Sequence, residues 1–220
     1  ANAFNQMRTR IKRFLKQRTE MLAGVSHDLR TPLTRMKLQI SLIKDEKAKS
    51  ELEIDVNEMT SMLDSYVSFV KTESPEPIET IIINELVGDI VKTFEKNGVD
   101  LTIKEKNTIQ TSGRQIQLKR AFNNIIDNSQ RYAKKIEIIL YTNEKDCVIE
   151  FNDDGEGIPR DKYEDVFKPF FTLDPSRNKL KGESGLGLTI TRDIIRSHGG
   201  DVKLSESNLG GLQLKVLLPL

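Results

Sequence analysis

The sequence has one cysteine, no tryptophan and few aromatic residues, which make up 6% of its 220 positions. A single thiol, Cys147, excludes an intramolecular disulfide and a multi-cysteine zinc site, and fits a reducing compartment. There is no run of about 18 apolar residues, so no segment predicts a membrane span, and no apolar leader opens the chain. Lysine and arginine total 34 against 33 acidic residues. This balance argues against a dedicated nucleic-acid binder, which carries a clear basic excess.

The composition is that of a folded protein, with 37% hydrophobic and 30% charged residues. The charge is unevenly distributed. Residues 1–40 hold nine basic and two acidic groups, a net of +7, and residues 41–80 hold four basic and ten acidic groups, a net of −6. A basic head is typical of the cytoplasmic flank of a membrane span. A helix pair with complementary exposed faces explains the same charges.

Two long helical patterns come first. Apolar residues recur in steps of three and four from Met7 to Ile43, with Arg18 filling one gap, and again from Leu52 to Val70. This spacing predicts two helices with heptad-like seams. The polar residues 44–50 have the length of a helical-hairpin connection. Because one hairpin leaves much of its apolar surface uncovered, we expect two copies to pack as a dimeric four-helix bundle.

The clearest break is Ser74-Pro75-Glu76-Pro77, since two prolines in four residues stop a helix and stiffen a linker. We expect a hairpin domain at 1–74, a linker at 75–79 and a second domain at 80–220. The patterns of the second domain predict helices at 84–96, 114–132 and 186–197. They predict strands at 81–83, 99–104, 136–141, 147–152, 202–205 and 212–217. This alternation indicates an α+β sandwich with helices on one face of a mixed sheet.

The hairpin carries the motif His-Asp-Leu-Arg-Thr-Pro at residues 27–32. At about 100° per residue, His27 faces away from the apolar stripe, with Asp28 beside it and Thr31 one turn further on. Pro32 removes an N–H group, which predicts a kink or local unwinding. An exposed imidazole beside a carboxylate suits a nucleophile. From spacing alone, an ordinary solvated histidine remains the alternative.

A second candidate lies on the helix at 114–132, where Asn124, Asn128 and Arg131 share one stripe. An asparagine oxygen is a suitable ligand for Mg²⁺, which takes its other ligands from water and substrate phosphates. Arg131 could bind a phosphate with two hydrogen bonds. A solvated polar face is the alternative.

Two glycine-rich segments follow. Asp154 ends the strand at 147–152 and precedes two glycines, so its carboxylate can accept a hydrogen bond from an amino group such as that of adenine. An ordinary acidic turn is the alternative. Residues 183–188, Glu-Ser-Gly-Leu-Gly-Leu, open a helix, and glycines beside free N–H groups can cradle a phosphate. The GxxxxGK[ST] motif is absent, which argues against a P-loop enzyme.

Three other features have simpler interpretations. Phenylalanines around Pro169 precede a charged stretch, as in a lid, although a surface loop held by core aromatics is the alternative. We interpret His198 as a helix-end residue that bonds the final carbonyls. Cys147 is interpreted as an inert core thiol.

The order of the motifs, HDLRTP on a hairpin and then NxxxN, DxGxG and GLGL in one later domain, closely resembles the sensor histidine kinases of two-component signalling. The resemblance implies a dimerisation and histidine-phosphotransfer domain followed by a catalytic ATP-binding domain of the GHKL type. Residues 3–7 resemble the end of a HAMP linker, and AGVSHDLRTPLTR is especially similar to the EnvZ-type osmosensor kinases.

The same resemblance implies the biochemistry. An ATP- and Mg²⁺-dependent homodimer would phosphorylate itself and pass the phosphoryl group to an aspartate in the receiver domain of a response regulator, and would also dephosphorylate that regulator. It implies no nucleic-acid partner. The chain would be the cytoplasmic portion of a bacterial inner-membrane receptor, touching the membrane only through segments that it does not contain.

Residue roles are implied in the same way. His27 corresponds to the phospho-acceptor, Asp28 to the acid that activates it, and Thr31 to the residue that positions water for dephosphorylation. Asn128 corresponds to the Mg²⁺-binding asparagine. The positions implied in nucleotide binding are Asn124, Asn128, Arg131, Tyr132, Asp154 as the adenine-reading acid, Gly155, Gly157, Asp174, Ser184, Gly185, Leu186, Gly187 and Leu188.

Two departures from the family pattern stand in the second domain. Glu183 occupies the place of an expected glycine, and Thr172 that of a frequent lid arginine. These departures favour one alternative class, a non-enzymatic dimeric scaffold with a degenerate nucleotide pocket, which the intact HDLRTP and NxxxN motifs oppose. A second class also remains open, a GHKL ATPase of chaperone, topoisomerase or mismatch-repair type. The second of these classes needs no exposed histidine on a leading hairpin.

Overall fold

Two long helices form the first unit of the chain: α1 spans Asn2–Ile40 and α2 spans Glu46–Val70. The computed structural model describes residues 2–70, 76–95, 100–173 and 185–220. Several side chains of α1 and α2, that of His27 among them, lie outside the described part. The residues on both sides of Pro32 stay helical, so of the kink or local unwinding expected there the unwinding does not occur.

The turn between the helices is shorter than predicted, because α2 begins inside the stretch that we assigned to the connection. Oδ1 of Asp45 accepts the backbone N–H groups of Lys47 at 3.0 Å and Ala48 at 3.2 Å. These are first-turn groups that a helix cannot satisfy itself, so Asp45 acts as the cap that starts α2.

The seam of the hairpin is buried only in part within one chain. Leu33, Ile40 and Val56 form a buried cluster against which Met36, Ile43 and Leu63 pack. Other seam residues on both helices remain exposed. Among the described residues these are Met7, Phe14, Val25, Leu29, Leu52 and Met59.

Among the residues that the structure describes, the second unit contains seven strands and three helices. Its strands are β1 (Glu79–Ile82), β2 (Asp100–Glu105), β3 (Gln110–Gly113), β4 (Lys135–Thr142), β5 (Asp146–Asp153), β6 (Asp201–Glu206) and β7 (Leu212–Pro219). Its helices are α3 (Ile83–Glu95), α4 (Gln115–Tyr132) and α5 (Gly187–Ser197), with 3₁₀ turns at Arg160–Lys162 and Asp165–Phe167.

The strands form two sheets. Five of them pair in the order β2-β4-β5-β7-β6, with β2 and β4 parallel and the other pairs antiparallel. The register places Ile149 of β5 opposite Leu140 of β4 and Val216 of β7. Strands β1 and β3 form a separate antiparallel pair. A helical hairpin followed by a mixed sheet with helices confirms the predicted fold class.

The helices cover one face of the larger sheet. Phe122 of α4 contacts Phe151 of β5, with ring centroids 5.8 Å apart. The opposite face carries both apolar and polar side chains, because side chains alternate along a strand. There, Glu150 of β5 accepts a hydrogen bond from the Tyr141 hydroxyl and pairs with Lys215, both at 2.8 Å.

Two local predictions for this unit were wrong. Strand β3 was missed, because its four residues carry no alternation and depend on pairing with β1. The helix predicted from Asn84 begins one residue earlier, at Ile83, so Asn84 lies inside its first turn. The side chain of Asn84 accepts the N–H of Ile109 at 2.8 Å and donates to the carbonyl of Asn107 at 3.2 Å. Within the described residues, no helix combines the length and apolarity that a membrane crossing requires.

Candidate functional site

Helix α4 forms the floor of the candidate site. Its core-facing residues, from Leu118 to Ser129, are buried, whereas Asn124 and Asn128 on the adjoining stripe are half-buried and Arg131 is exposed. The amide of Asn124 donates to the carbonyl of Gly187 at 3.3 Å. This bond joins the middle of α4 to the first residue of α5, so the asparagine stripe and the GLGL loop lie against each other.

The loop that precedes α5 depends on a positive φ. Gly185 has φ of 63°, and a Cβ there would lie 2.8 Å from the Cα of Phe170. The N–H of Phe170, which itself has φ of 62°, donates to the carbonyl of Gly185 at 3.0 Å. This close contact requires glycine at 185.

Helix α5 begins without a capping side chain, because its N-cap residue is the buried Leu186. Free N–H groups at a helix start, beside the small Gly187, suit a phosphate group. The helix is held by Thr189, whose hydroxyl donates to the carbonyl of Phe167 at 2.9 Å, and by Thr191, whose hydroxyl donates to that of Ala121 at 3.3 Å.

The acidic residue that points into the site is Asp153, not Asp154. Asp153 is 4% exposed. Its Oδ2 accepts the hydroxyl of Ser129 at 3.0 Å, and its Oδ1 accepts the N–H groups of Gly155 at 3.0 Å and Leu212 at 2.9 Å. A carboxylate has about four acceptor positions. One position on Oδ2 therefore remains for a ligand donor.

Asp154 has a local structural role instead. It is exposed, and its Oδ1 accepts the N–H groups of Lys134 at 2.8 Å and Lys135 at 2.9 Å. These two bonds lower its pKa. Side chains alternate along β5, so Asp153 turns to the α4 side and Asp154 turns away. We therefore correct the candidate adenine-reading residue from Asp154 to Asp153, which is also where the DxGxG spacing begins.

Glycines surround Asp153 because backbone must approach its carboxylate. A Cβ on Gly211 would collide with Oδ1 of Asp153 and with the N of Gly155, and would lie 2.6 Å from the carbonyl oxygen of Asp153. Gly157 has φ of 71°. Sequence reasoning missed Gly211 and Ser129, whose importance comes only from contacts between separate elements.

The last turn of α4 borders this carboxylate. A Cβ on Gly155 would lie 3.1 Å from the carbonyl oxygen of Tyr132, whose side chain is 40% exposed. On the same helix, burial raises the pKa of Asp127, and the positive charge of Arg131 opposes that rise. Tyr132, Gly155 and Asp153 therefore lie together at one end of α4, with Asn124 and the α5 start further back along the helix.

The donor set fits a magnesium nucleotide. Uncapped N–H groups suit phosphates, amide oxygens of Asn124 and Asn128 are hard ligands, and Asp153 keeps one acceptor. No group of three or more His, Cys, Asp or Glu side chains among the described residues could hold a metal ion. A cation here would take its remaining ligands from phosphates and water.

The hairpin motif is described only in part. His27 lies within α1, but its side chain is outside the described residues, so its predicted orientation remains a prediction. Asp28 and Thr31 are exposed. Ser26, directly before His27, is 3% exposed and shares a seven-residue spacing with the buried Leu33. Sequence reasoning missed this polar position.

Of the remaining positions predicted for the lid and the nucleotide loop, the structure describes only some. Leu188 is half-buried in the first turn of α5 and Thr172 is half-buried, whereas Asp174, Glu183 and Ser184 lie outside the described residues.

The structure supports the interpretation of His198 as a helix-end residue and of Cys147 as a core thiol. Nδ1 of His198 lies 2.7 Å from the carbonyl of Ile194, one turn back on α5. Burial raises the pKa of the Cys147 thiol to about 12.

Two family descriptions match the chain. Residues 17–74 match the His Kinase A (phospho-acceptor) domain, and residues 113–220 match the histidine kinase-, DNA gyrase B- and HSP90-like ATPase. The sensor histidine kinase GtrS of Pseudomonas aeruginosa is 33% identical over the whole of this chain and 46% of its own length. The sensor histidine kinase CpxA of Escherichia coli is 32% identical over 99% of this chain and 50% of its own length. The chain thus spans about half the length of these curated relatives.

Solved structures share the fold. A mycobacterial sensor histidine kinase, MprB, has a TM-score of 0.58 at 22% identity, over 65% of this chain and 97% of its own. Full-length ShkA in complex with AMPPNP has a TM-score of 0.67 at 16% identity, over 91% of this chain and 46% of its own.

Proposed function

The chain belongs to the sensor histidine kinases, whose phospho-acceptor and ATP-binding domains it carries, and we propose that it transfers the terminal phosphoryl group of ATP to His27. The observation that carries this proposal is the buried Asp153, held by Ser129 with one acceptor left over. The same helix carries Asn124, which bonds the start of α5. One rigid element thus bears both a base-reading end and a phosphate-binding end.

The reaction is a substitution at phosphorus. An imidazole nitrogen of His27 forms an N–P bond as the bond from the terminal phosphorus to the bridging oxygen breaks, and ADP leaves with that oxygen. The proton on the other ring nitrogen then passes to Asp28 or to solvent. Catalysis is mainly positioning and charge neutralisation. A bound Mg²⁺ would neutralise phosphate charge, with Asn128 as its protein ligand.

The contacts within the ATP-binding unit support the following roles. Asp153 accepts the adenine amino group, and the N–H groups at the start of α5 face the phosphates. Arg131 and Tyr132 border the nucleotide at the last turn of α4. That full-length ShkA, of the same fold, is a complex with AMPPNP supports the assignment of this unit to nucleotide binding.

Homodimerisation is part of the proposal. Met7, Phe14, Val25, Leu29 and Met59 are 44–66% exposed within one chain although they lie on the seam. Complete burial of such a side chain contributes about 1.5–3 kcal/mol, so covering the exposed half contributes about half as much for each. A second hairpin packed on the seam would cover them. Transfer to a response regulator, its dephosphorylation through Thr31, and an origin in a membrane receptor are extensions of the same proposal. The EnvZ-type subtype remains a prediction.

The test is incubation with γ-labelled ATP and Mg²⁺. A label that is lost in acid and kept in alkali identifies a phosphohistidine, and His27→Gln should abolish it while nucleotide binding persists. Label that survives in His27→Gln, or ATP hydrolysis without any phosphohistidine, contradicts the proposal. The second outcome would instead indicate an ATPase of the chaperone or topoisomerase type.

Asn128→Ala tests the magnesium role separately. Calorimetric titration with an ATP analogue should show that the variant loses the affinity gained on adding Mg²⁺. Affinity equal to wild type with and without Mg²⁺ would defeat this part of the proposal.

A further inference from the structure

Glu76 connects the linker to the nucleotide-binding helix. Its carboxylate accepts two N–H groups in the first turn of α4, with Oε1 2.6 Å from the nitrogen of Ile116 and Oε2 3.2 Å from that of Gln117. The N-cap residue of α4, Arg114, provides no side-chain cap. A residue forty positions earlier in the chain therefore caps this helix, and its negative charge suits the helix start.

A second group completes the same helix end. Nε2 of His198 accepts the N–H of Arg114 at 3.0 Å, while its Nδ1 bonds the carbonyl of Ile194. Hence His198 ties α4 to α5 and Glu76 ties α4 to the linker. The linker is therefore attached to the helix that carries Asn124 and Asn128. Its attachment point, Glu76, lies three residues before β1 begins at Glu79.

We propose that Glu76 is a positioning residue of the kinase reaction: its bidentate contact with α4 shortens the tether between the helical hairpin and the ATP-binding unit. This inference rests on the proposed function. The last residue of α2 is Val70, so the anchored chain has six residue steps to Glu76, or about 20 Å when fully extended. Without the anchor the first fixed point is Glu79, nine steps and about 30 Å away.

The longer tether has a calculable consequence. Effective concentration falls roughly as the −3/2 power of tether length, so lengthening from six to nine steps lowers it about twofold. Nucleotide binding involves residues within the ATP-binding unit alone. Glu76→Ala should therefore lower the autophosphorylation rate about twofold or more at saturating ATP, with an unchanged KM for ATP.

The decisive experiment combines Glu76→Ala with an insertion of Gly-Ser-Gly between Pro77 and Ile78. In wild type the insertion lies beyond the anchor, so the tether keeps its length and the rate stays within experimental error. In Glu76→Ala the same insertion lengthens the tether to twelve steps, and the rate falls by about a further third. Glu79→Ala removes a nearby exposed carboxylate and serves as the control for charge.

Equal effects of the insertion in both backgrounds would overturn the proposal, as would a raised KM with an unchanged maximal rate. Hydrogen exchange tests the anchor without any activity. The amides of Ile116 and Gln117 should exchange faster in Glu76→Ala than in wild type and Glu79→Ala. If wild type makes no phosphohistidine, the proposed function fails, and unchanged exchange at these two amides separately refutes the anchor.

Discussion

Replacing Asp153 by asparagine exchanges one carboxylate oxygen for an NH₂ group with almost no change of shape. The remaining oxygen can still accept the N–H groups of Gly155 and Leu212. The hydroxyl of Ser129, which now donates to Oδ2, can turn to accept from the new amide. The acceptor left for a ligand amino group is lost, and a donor faces that group instead. The substitution thus separates base recognition from the folding of the loop.

The expected magnitude follows from the charge of the lost acceptor. A hydrogen bond to a charged group contributes about 1.5–3 kcal/mol, which corresponds to a 10- to 150-fold loss of ATP affinity. A purine with an oxygen in place of the amino group behaves oppositely, because the new NH₂ group can donate to it. The preference for ATP over ITP should therefore shrink or reverse in Asp153→Asn.

Calorimetric titration with non-hydrolysable analogues of ATP and ITP measures both affinities. Asp154→Asn is the matched control: its Oδ1, which accepts from the N–H groups of Lys134 and Lys135, is kept, so its nucleotide affinity should stay within twofold of wild type. Wild-type ATP affinity in Asp153→Asn, or a loss confined to Asp154→Asn, would refute the assignment of the base-reading role to Asp153.

Three further outcomes are expected. Gly211→Ala should destabilise the fold by about 1–3 kcal/mol through overpacking. Gly88→Ala in α3, where a Cβ meets nothing within 4 Å, should stabilise the fold by about 0.5–1 kcal/mol. Urea unfolding measures both, and a Gly211→Ala variant as stable as Gly88→Ala would contradict the packing around Asp153. Burial lowers the pKa of His198, so the folded state favours the neutral imidazole and loses stability as pH falls below about 6.5. The melting temperature of His198→Gln should therefore fall less than that of wild type between pH 7 and 5.5. An equal fall in both proteins would contradict this role of His198. Thr31→Ala should keep autophosphorylation but lose dephosphorylation of the phosphorylated regulator, and a parallel fall of both activities and of the melting temperature would sink that role.

The amphipathic elements could be predicted from the sequence because periodicity reports burial. Strands β4 and β5 each extend one residue beyond the predicted range at both ends. Their apolar residues lie on the face of the sheet that the helices cover, so the sequence shows their alternation. Helix α4 is predicted nearly to its bounds for the same reason. The stripe of Asn124 and Asn128 follows from helix geometry alone.

Contacts between distant elements could not be predicted in this way. Which of two adjacent carboxylates enters the site depends on where β5 ends, and the predicted end fell one residue before Asp153. The cap supplied by Glu76 joins residues forty positions apart. Strand β3 exists through its pairing with β1 rather than through a pattern of its own. Each of these three features depends on residues that lie far apart in the sequence, so a short sequence pattern does not reveal it.

The order of strands in the larger sheet bears on how the protein is made. Strand β7 lies between β5 and β6, although it follows both along the chain. During synthesis on the ribosome, β5 therefore has an open edge, and Leu212 cannot donate its N–H to Asp153 until the last strand emerges. Such non-local pairing forms slowly, and an open edge invites mispairing. Helices α1 and α2 precede every strand along the chain, so the hairpin can form before the second unit is complete.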